Sequence, residues 1–271
     1  MTESTTNEHV RTELHSQLPD LNPQPEEDIS EVSYQNIEGV APLVTNGHDS
    51  RERVQDASIY PWIAHLTVEL NGKTFPATGW FIAPRTLITA GHVVFGFDNF
   101  LRPGEICERG VWATRIVVSP GRNGSASPVA VQTNIFFADA EWVCKGSVAH
   151  DYGAIILDTD ILGVTPLPLN VSGTGQARIA GYPRLRPKDE NNFANGELWE
   201  GRGQFVTNAD DRFVFYNVDT TNGQSGSPVL VGNPGSFQAV SVHARGNSVQ
   251  NHGVRLTQRV LDNFDRWIDA S

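Results

Sequence analysis

The sequence lacks any apolar run long enough to cross a membrane as a helix, because such a helix needs about 20 consecutive apolar residues. It has only two cysteines, Cys107 and Cys144, so a small fold held together by several disulfides is excluded. Lysine and arginine form no cluster, although a protein that binds nucleic acid needs clustered positive charge to contact the phosphates. We therefore expect a protein that binds neither nucleic acid nor membrane.

The start of the chain, MTESTTNEHV, also lacks the positively charged and apolar segments of a secretory signal peptide. Cytoplasmic residence is the default expectation on this ground, and secretion is the alternative. Whether Cys107 and Cys144 form a disulfide cannot be deduced from the sequence. Without a signal peptide, we expect two free buried thiols at least as much as a disulfide.

Negative charge is unevenly distributed along the chain. The formal net charge is −11, of which residues 1–50 carry −9 and the remaining residues −2. Residues 1–46 are rich in Thr, Glu, Pro, Asn and Asp and contain little that a core could bury. This composition predicts an acidic extension that is either disordered or a pro-segment.

From Tyr60 onward, short apolar runs are separated by Gly, Pro and Asn, which is the pattern of many short strands. At the C-terminus, Thr257 is a candidate N-cap, and apolar residues then recur near the helical period through RVLDNFDRWID. The sequence therefore predicts an all-β fold that ends with an amphipathic helix. The candidate strands span residues 62–70, 78–83, 86–90, 112–118, 129–137, 152–157, 177–182, 213–218, 227–231 and 237–243.

A proline-rich segment, PLPLN at residues 166–170, divides the strand-rich part of the chain in two. It is a reasonable crossover between two β-units. We therefore predict a first unit over residues 47–165 and a second unit over residues 166–271, which includes the helix.

Three separate motifs contain the residue types of a nucleophilic hydrolase. His92 lies in TLITAGHVV, Asp151 in AHDYGAIIL and Ser225 in TTNGQSGSPVLV. A serine hydroxyl needs a base to accept its proton, and that base needs a carboxylate to fix its tautomer and stabilise the imidazolium. Taken singly, each residue also has a structural explanation, as a buried histidine, a turn aspartate or a loop serine. Together they predict a catalytic triad.

The motifs TAGH, HDYGAI and GQSGSPV, in the order His, Asp, Ser, resemble those of the chymotrypsin-fold (trypsin-like) serine peptidases, and in particular the V8-like glutamyl endopeptidases. The resemblance implies two antiparallel six-stranded β-barrels, with His92 and Asp151 in the first and Ser225 in the second. It also makes the backbone N–H groups of Gly223 and Ser225 the oxyanion hole. The triad chemistry itself requires no metal or cofactor, so we expect none. An α/β-hydrolase is disfavoured, because in that fold the serine precedes the acid and the histidine.

The same resemblance assigns residues to the pocket for P1, the substrate residue before the scissile bond. Thr220 and His243 would contact the P1 side chain, and both can donate hydrogen bonds to a carboxylate, so we expect a preference for glutamate. Arg245 would add positive potential nearby, in a direction that the sequence does not define. Asp219 would instead attract a basic P1 side chain, as in trypsin-like enzymes, so basic specificity is the alternative. It also remains open that His243 only packs in the second barrel.

The acidic extension leads to a further hypothesis, because the mature domains of the resembled family begin near this point. Cleavage near residues 43–47 would activate a zymogen by creating an amino terminus that completes the P1 pocket; the alternative is a tail that only adds solubility. The overall prediction is a serine endopeptidase that acts on proteins or peptides, with a monomer favoured. A catalytically silent member of the fold that binds peptides is the competing hypothesis.

Overall fold

The computed structural model describes residues 49–97, 110–125, 129–172, 175–184, 196–206, 210–246 and 250–271. The predicted extension over residues 1–46, the predicted cleavage region and Cys107 lie outside the described residues. Within the described ranges, no helix has the length and apolar character needed to span a membrane.

Antiparallel strands dominate the described part of the chain. The strands are β1 (Glu52–Arg53), β2 (Ile63–Leu70), β3 (Lys73–Ala83), β4 (Thr86–Thr89), β5 (Phe95–Phe97), β6 (Gly110–Trp112), β7 (Arg115–Pro120), β8 (Val131–Thr133), β9 (Ile135–Ala138), β10 (Gly153–Ile156), β11 (Gln176–Gly181), β12 (Trp199–Val206), β13 (Phe213–Tyr216), β14 (Pro228–Val231), β15 (Gln238–Gly246) and β16 (Asn251–Arg255). The α-helices are α1 (Gly91–Val94), α2 (Ala140–Lys145) and α3 (Gln258–Asp269). Strands β5 and β6 form a separate ribbon.

The first sheet has the strand order β8-β7-β2-β3-β4-β10-β9, and neighbouring strands are antiparallel. Its edge strands, β8 and β9, are consecutive in the chain and are separated only by Asn134. The chain therefore bends at this residue and closes the sheet, and the hydroxyl of Thr133 donates to the carbonyl of Ile156 in β10 (2.6 Å). Counted as one bent strand, β8 and β9 complete a six-stranded barrel.

The second sheet has the strand order β1-β12-β11-β14-β15-β16-β13, and a further pairing of β12 with β13 closes six of these strands into a barrel. Strand β1 adds to β12, where Glu52 pairs with Glu200 and Arg53 with Trp199. Residues 52–53 fall in the range predicted for the first unit, but they pair with the second barrel. The predicted all-β fold with two antiparallel six-stranded barrels is confirmed.

The predicted C-terminal helix is confirmed as α3. The hydroxyl of Thr257 caps it by accepting a hydrogen bond from a backbone N–H in the first turn (3.4 Å). The ring of Phe264 packs against Trp80 of β3 (centroids 6.4 Å apart), and Trp267 stacks on Phe137 of β9 (6.3 Å). The helix therefore follows the second barrel in sequence but buries its apolar face on the first.

The sequence does not predict strands β1, β5, β12 or β16. Strand β12, with the sequence WEGRGQFV, contains two glycines and the buried Glu200, so its apolar residues do not alternate. The carboxylate of Glu200 lies 3.1 Å from the guanidinium of Arg178 and accepts a hydrogen bond from the hydroxyl of Tyr60. Strand β12 therefore combines a buried, paired charge with two glycines and shows no apolar periodicity.

Candidate active site

The predicted nucleophile, Ser225, lies in the turn that leads into β14. Its carbonyl accepts a hydrogen bond from the backbone N–H of Thr78 in β3 (3.0 Å). The indole N–H of Trp80, also in β3, donates to the carbonyl of Gly226 (3.1 Å), and the N–H of Gly226 donates to the carbonyl of His243 in β15 (2.8 Å). The serine turn of the second barrel is therefore held by the first barrel as well, through residues that the sequence did not single out.

Glycines at two positions allow this turn to form. Gly223 and Gly226 have φ angles of +95° and +85°, which residues with a side chain rarely adopt. A Cβ atom on Gly226 would lie 2.4 Å from the carbonyl oxygen of Thr78 and 2.8 Å from the backbone nitrogen of Ala90. The serine turn thus lies directly against the chain two positions before His92.

The predicted base and acid are brought together by the register of β4 and β10. Strand β4 ends at Thr89 and α1 then begins, which puts His92 in its first turn. Asp151 follows the 3-10 turn Val148–His150 and precedes Gly153, which pairs with Thr89. The Nδ1 atom of His92 lies 3.1 and 2.9 Å from the two carboxylate oxygens of Asp151, and the backbone N–H of His92 donates to Oδ1 (2.8 Å).

Asp151 is fully buried, and burial alone would raise its pKa. The neighbouring His92 and Arg245 outweigh burial and hold the pKa of Asp151 below its ordinary value of 3.8. The Nε and Nη2 atoms of Arg245 each lie 3.3 Å from Oδ2 of Asp151, and the guanidinium lies 5.5 Å from the ring centre of Trp142. The guanidinium of Arg245, whose direction the sequence does not define, therefore contacts the carboxylate of Asp151.

Gly223 and Ser225 are the residues predicted to form the oxyanion hole. Among the described residues, neither backbone N–H donates to a protein acceptor. By contrast, the N–H of Gln224 donates to the carbonyl of Thr221 (3.1 Å), and the N–H of Ser227 donates to the carbonyl of Gln224 (3.0 Å). The turn therefore presents two backbone donors that the described protein does not use.

His243 is buried in β15, and its Nδ1 atom lies 2.6 Å from the hydroxyl of Tyr216 in β13. Burial, with a smaller contribution from the nearby His252 and His92, lowers the pKa of His243 to about 3. The imidazole is therefore neutral at ordinary pH. Burial also raises the pKa of Tyr216 well above its usual value, so its hydroxyl keeps its proton.

Thr220 and Asp219, the other predicted pocket residues, are buried and lie close to the serine turn in the sequence. The hydroxyls of Thr220 and Thr221 and the Nε2 atom of Gln224 have no hydrogen-bond partner among the described residues. Asp219 has a different environment, because its Oδ2 atom accepts hydrogen bonds from the backbone N–H of Ser50 (2.8 Å) and from its hydroxyl (2.5 Å). These two residues are 169 positions apart, so no local pattern could have revealed their contact.

Cys144, in α2, is part of a disulfide, so the alternative of a free thiol is wrong for this residue. The only other cysteine of the chain, Cys107, lies outside the described residues. Over the ranges that the structure describes, no three His, Cys, Asp or Glu side chains are grouped as a metal site would require.

Two closed antiparallel barrels that meet at a glycine-framed serine turn and a His–Asp pair are the architecture of the chymotrypsin-fold serine peptidases. The trypsin-like peptidase domain family matches residues 77–237 of the chain. The chain belongs to this family, and it is a serine endopeptidase that acts on protein or peptide substrates.

Bacterial peptidases are similar to most of the chain. A glutamyl endopeptidase of Bacillus licheniformis is 30% identical over 240 residues, which cover 83% of this chain and 69% of that protein. A protein named extracellular metalloprotease, from Bacillus subtilis, is 29% identical over 250 residues, which cover 86% and 72% of the two chains.

Solved structures share the fold. A Glu endopeptidase in complex with MPD has a TM-score of 0.67 at 26% identity, and the match covers 84% of this chain and 100% of that one. The protease Anisep from Arthrobacter nicotinovorans has a TM-score of 0.64 at 20% identity, with coverages of 82% and 100%.

Proposed function

We propose that Ser225 attacks the scissile carbonyl, that His92 acts as general base and then as general acid, and that Asp151 orients His92. The observation that carries this proposal is the contact of Nδ1 of His92 with both carboxylate oxygens of Asp151, at 3.1 and 2.9 Å. An ionised carboxylate only accepts, so the ring proton is on Nδ1, and Nε2 is left to take the serine proton. Water then hydrolyses the acyl-enzyme, with His92 as its base.

The N–H groups of Gly223 and Ser225 would stabilise the oxyanion that forms when the serine attacks. Their lack of an internal acceptor among the described residues supports this role. Because such donors act on charge that develops in the transition state, losing one costs about 3 to 4 kcal/mol of activation free energy.

Glutamate is the P1 residue that the pocket favours. Since the hydroxyl of Tyr216 keeps its proton, it can donate to Nδ1 of the neutral His243, which puts the imidazole proton on Nε2 as a donor. The hydroxyl of Thr220 is a second buried donor that has no partner among the described residues. Buried donors of this kind suit a carboxylate. The glutamyl endopeptidase of Bacillus licheniformis, at 30% identity, also supports acidic specificity.

The alternative, a basic P1 residue bound by Asp219, is less favoured because Ser50 already directs two donors at one of its carboxylate oxygens. A peptide library that varies only P1 distinguishes the two. We expect cleavage after Glu to exceed cleavage after Arg or Lys, and preferential cleavage after Arg or Lys would contradict acidic specificity. Ser225→Ala serves as the control and should cleave none of the peptides; equal cleavage by wild type and Ser225→Ala would contradict the proposed nucleophile.

We also propose that the enzyme is made as a zymogen and is activated by cleavage near residues 43–47. Support comes from Ser50, a few positions further along, which contacts Asp219 beside the P1 pocket. A new amino terminus in that region would therefore begin close to the pocket. Intact mass and N-terminal sequencing of the active protein test this, and full activity with residue 1 retained would contradict it.

A further inference from the structure

The guanidinium of Arg51 is buried next to the serine turn, and the proposed mechanism gives it no role. Its side chain is only 1% exposed. It forms a bidentate ion pair with Asp49, in which Nε lies 2.9 Å from Oδ1 and Nη2 lies 2.5 Å from Oδ2. Because an unpaired charge is very unfavourable in the interior, this pair permits the guanidinium to stay buried.

The remaining arm of Arg51 reaches the residue that directly precedes the nucleophile. Its Nη1 atom donates to Oε1 of Gln224 (2.6 Å). The same oxygen accepts a hydrogen bond from the backbone N–H of Thr221 (3.1 Å). The side chain of Gln224 is thus hydrogen-bonded within the turn that carries the N–H groups of Gly223 and Ser225, and Arg51 fixes the position of that side chain.

The segment around Arg51 is itself attached to the second barrel. Ser50 binds Asp219 at the start of the turn, and the pairing of β1 with β12 fixes the chain directly after Arg51. The stem of Arg51 lies against Gly201 of β12, where an added Cβ atom would be 3.2 Å from Cγ of Arg51. The anchored segment therefore contacts both ends of residues 219–225.

We propose that residues 49–51 form an N-terminal clamp that holds residues 219–225 in the conformation needed for acyl transfer, with Arg51 as a positioning residue that acts through Gln224. The proposal rests on the proposed role of Ser225. Without the clamp, the turn populates other conformations in which the two N–H groups do not converge on the oxyanion. Since a hydrogen bond to a charged group is lost, the expected effect on the rate of acylation is about 10- to 100-fold.

The test compares Arg51→Met with Arg53→Met in the full chain. Arg53 lies two positions further along, its side chain is 44% exposed, and it pairs with Glu197 at 3.1 Å, so it is a matched surface control. The reagent is a small alkyl fluorophosphonate without a P1 side chain, which reports on the serine and the oxyanion hole but not on the P1 pocket. We expect Arg51→Met to react about 10- to 100-fold more slowly and Arg53→Met to react at the wild-type rate. A wild-type rate for Arg51→Met overturns the proposal.

Gln224→Met is a second variant that tests the positioning role even if Arg51→Met fails to fold. Thermal unfolding of each variant checks that it is folded. Because Arg51 acts through Gln224, the single variants should be similarly slow and the double variant no slower than either. If Arg51→Met does not fold, Gln224→Met alone must still react about 10- to 100-fold more slowly, and a wild-type rate overturns the clamp. If the effects of Arg51→Met and Gln224→Met multiply in the double variant, the two residues act independently, and this result also overturns the clamp. Retained cleavage by Ser225→Ala would instead refute the proposed function, so the two failures are distinguishable.

Discussion

The carboxylate of Asp151 is contacted by two basic side chains, His92 and Arg245, and both approach Oδ2. The charge of Arg245 is permanent, so it offsets part of the negative potential that Asp151 exerts on the imidazole. The other titratable groups nearby, His243 and His252, are neutral, because burial lowers their pKa values to about 3 and about 4. His92 and Arg245 together therefore hold the pKa of Asp151 below its ordinary value of 3.8.

Replacing Arg245 with glutamine should lower kcat/KM by about 10-fold, because Asp151 loses hydrogen bonds from a charged side chain that help to hold it beside His92. Arg245→Lys keeps the charge and should lower kcat/KM less. An unchanged kcat/KM for Arg245→Gln would show that Arg245 does not help to position this carboxylate.

At the scale of elements, Asp139 connects three parts of the first barrel. It caps α2, where Oδ1 accepts from the N–H of Glu141 (2.8 Å). Its Oδ2 atom accepts from the hydroxyl of Tyr152 (2.6 Å) and from the side-chain amide of Asn263 in α3 (2.8 Å). The Nδ1 atom of His150 lies 3.0 Å from Oδ1, and His150 helps to lower the pKa of Asp139. The turn that positions Asp151 is thereby joined to the C-terminal helix.

Asp139→Asn should lower stability in a way that depends on pH. Burial would raise the pKa of Asp139, but His150, Tyr152 and the N–H of Glu141 lower it to about 2 from an ordinary value of 3.8. A carboxyl group with a lowered pKa stabilises the fold above about pH 4, and this contribution is lost as the pH falls toward about 2. The variant should lose about 1 to 3 kcal/mol near pH 7 and progressively less in acid.

Thermal unfolding of wild type and Asp139→Asn across this pH range measures the effect. Glu141→Gln, in the same turn, is a suitable control because its pair with Lys145 (2.8 Å) is partly exposed and should contribute little. If the difference in Tm between wild type and Asp139→Asn is the same at every pH, the carboxylate does not have the assigned role.

Elements with a local signature could be predicted from the sequence. Helix α3 was predictable because Thr257 caps a regular apolar period, and the strands next to His92 and Ser225 were predictable from short apolar runs. Strand β12 was not, because its buried Glu200 is paired with Arg178 and with Tyr60, which is 140 positions away in the sequence. A charged residue that is paired with residues distant in the sequence leaves no periodic pattern by which its strand could be predicted.

At the scale of the whole molecule, the two barrels are joined by the proposed active site itself. The hydroxyl of Thr78 in the first barrel donates to the carbonyl of Gly223 in the second (2.9 Å), and it accepts from the N–H of Tyr182 (3.0 Å). The sequence predicted the barrels and the three motifs, but it could not predict this junction or the contacts of Ser50 and Arg51. These contacts join positions more than a hundred residues apart and depend on the complete fold.

Covalent labelling with a fluorophosphonate, followed by peptide mass mapping, tests most directly whether this junction produces an activated serine. We expect a single adduct, on Ser225, that is absent from Ser225→Ala and forms at least about 100-fold more slowly in His92→Ala, since a general base contributes that much. An adduct on another residue, or labelling of His92→Ala at the wild-type rate, would contradict the assignment of Ser225 and His92 as nucleophile and base.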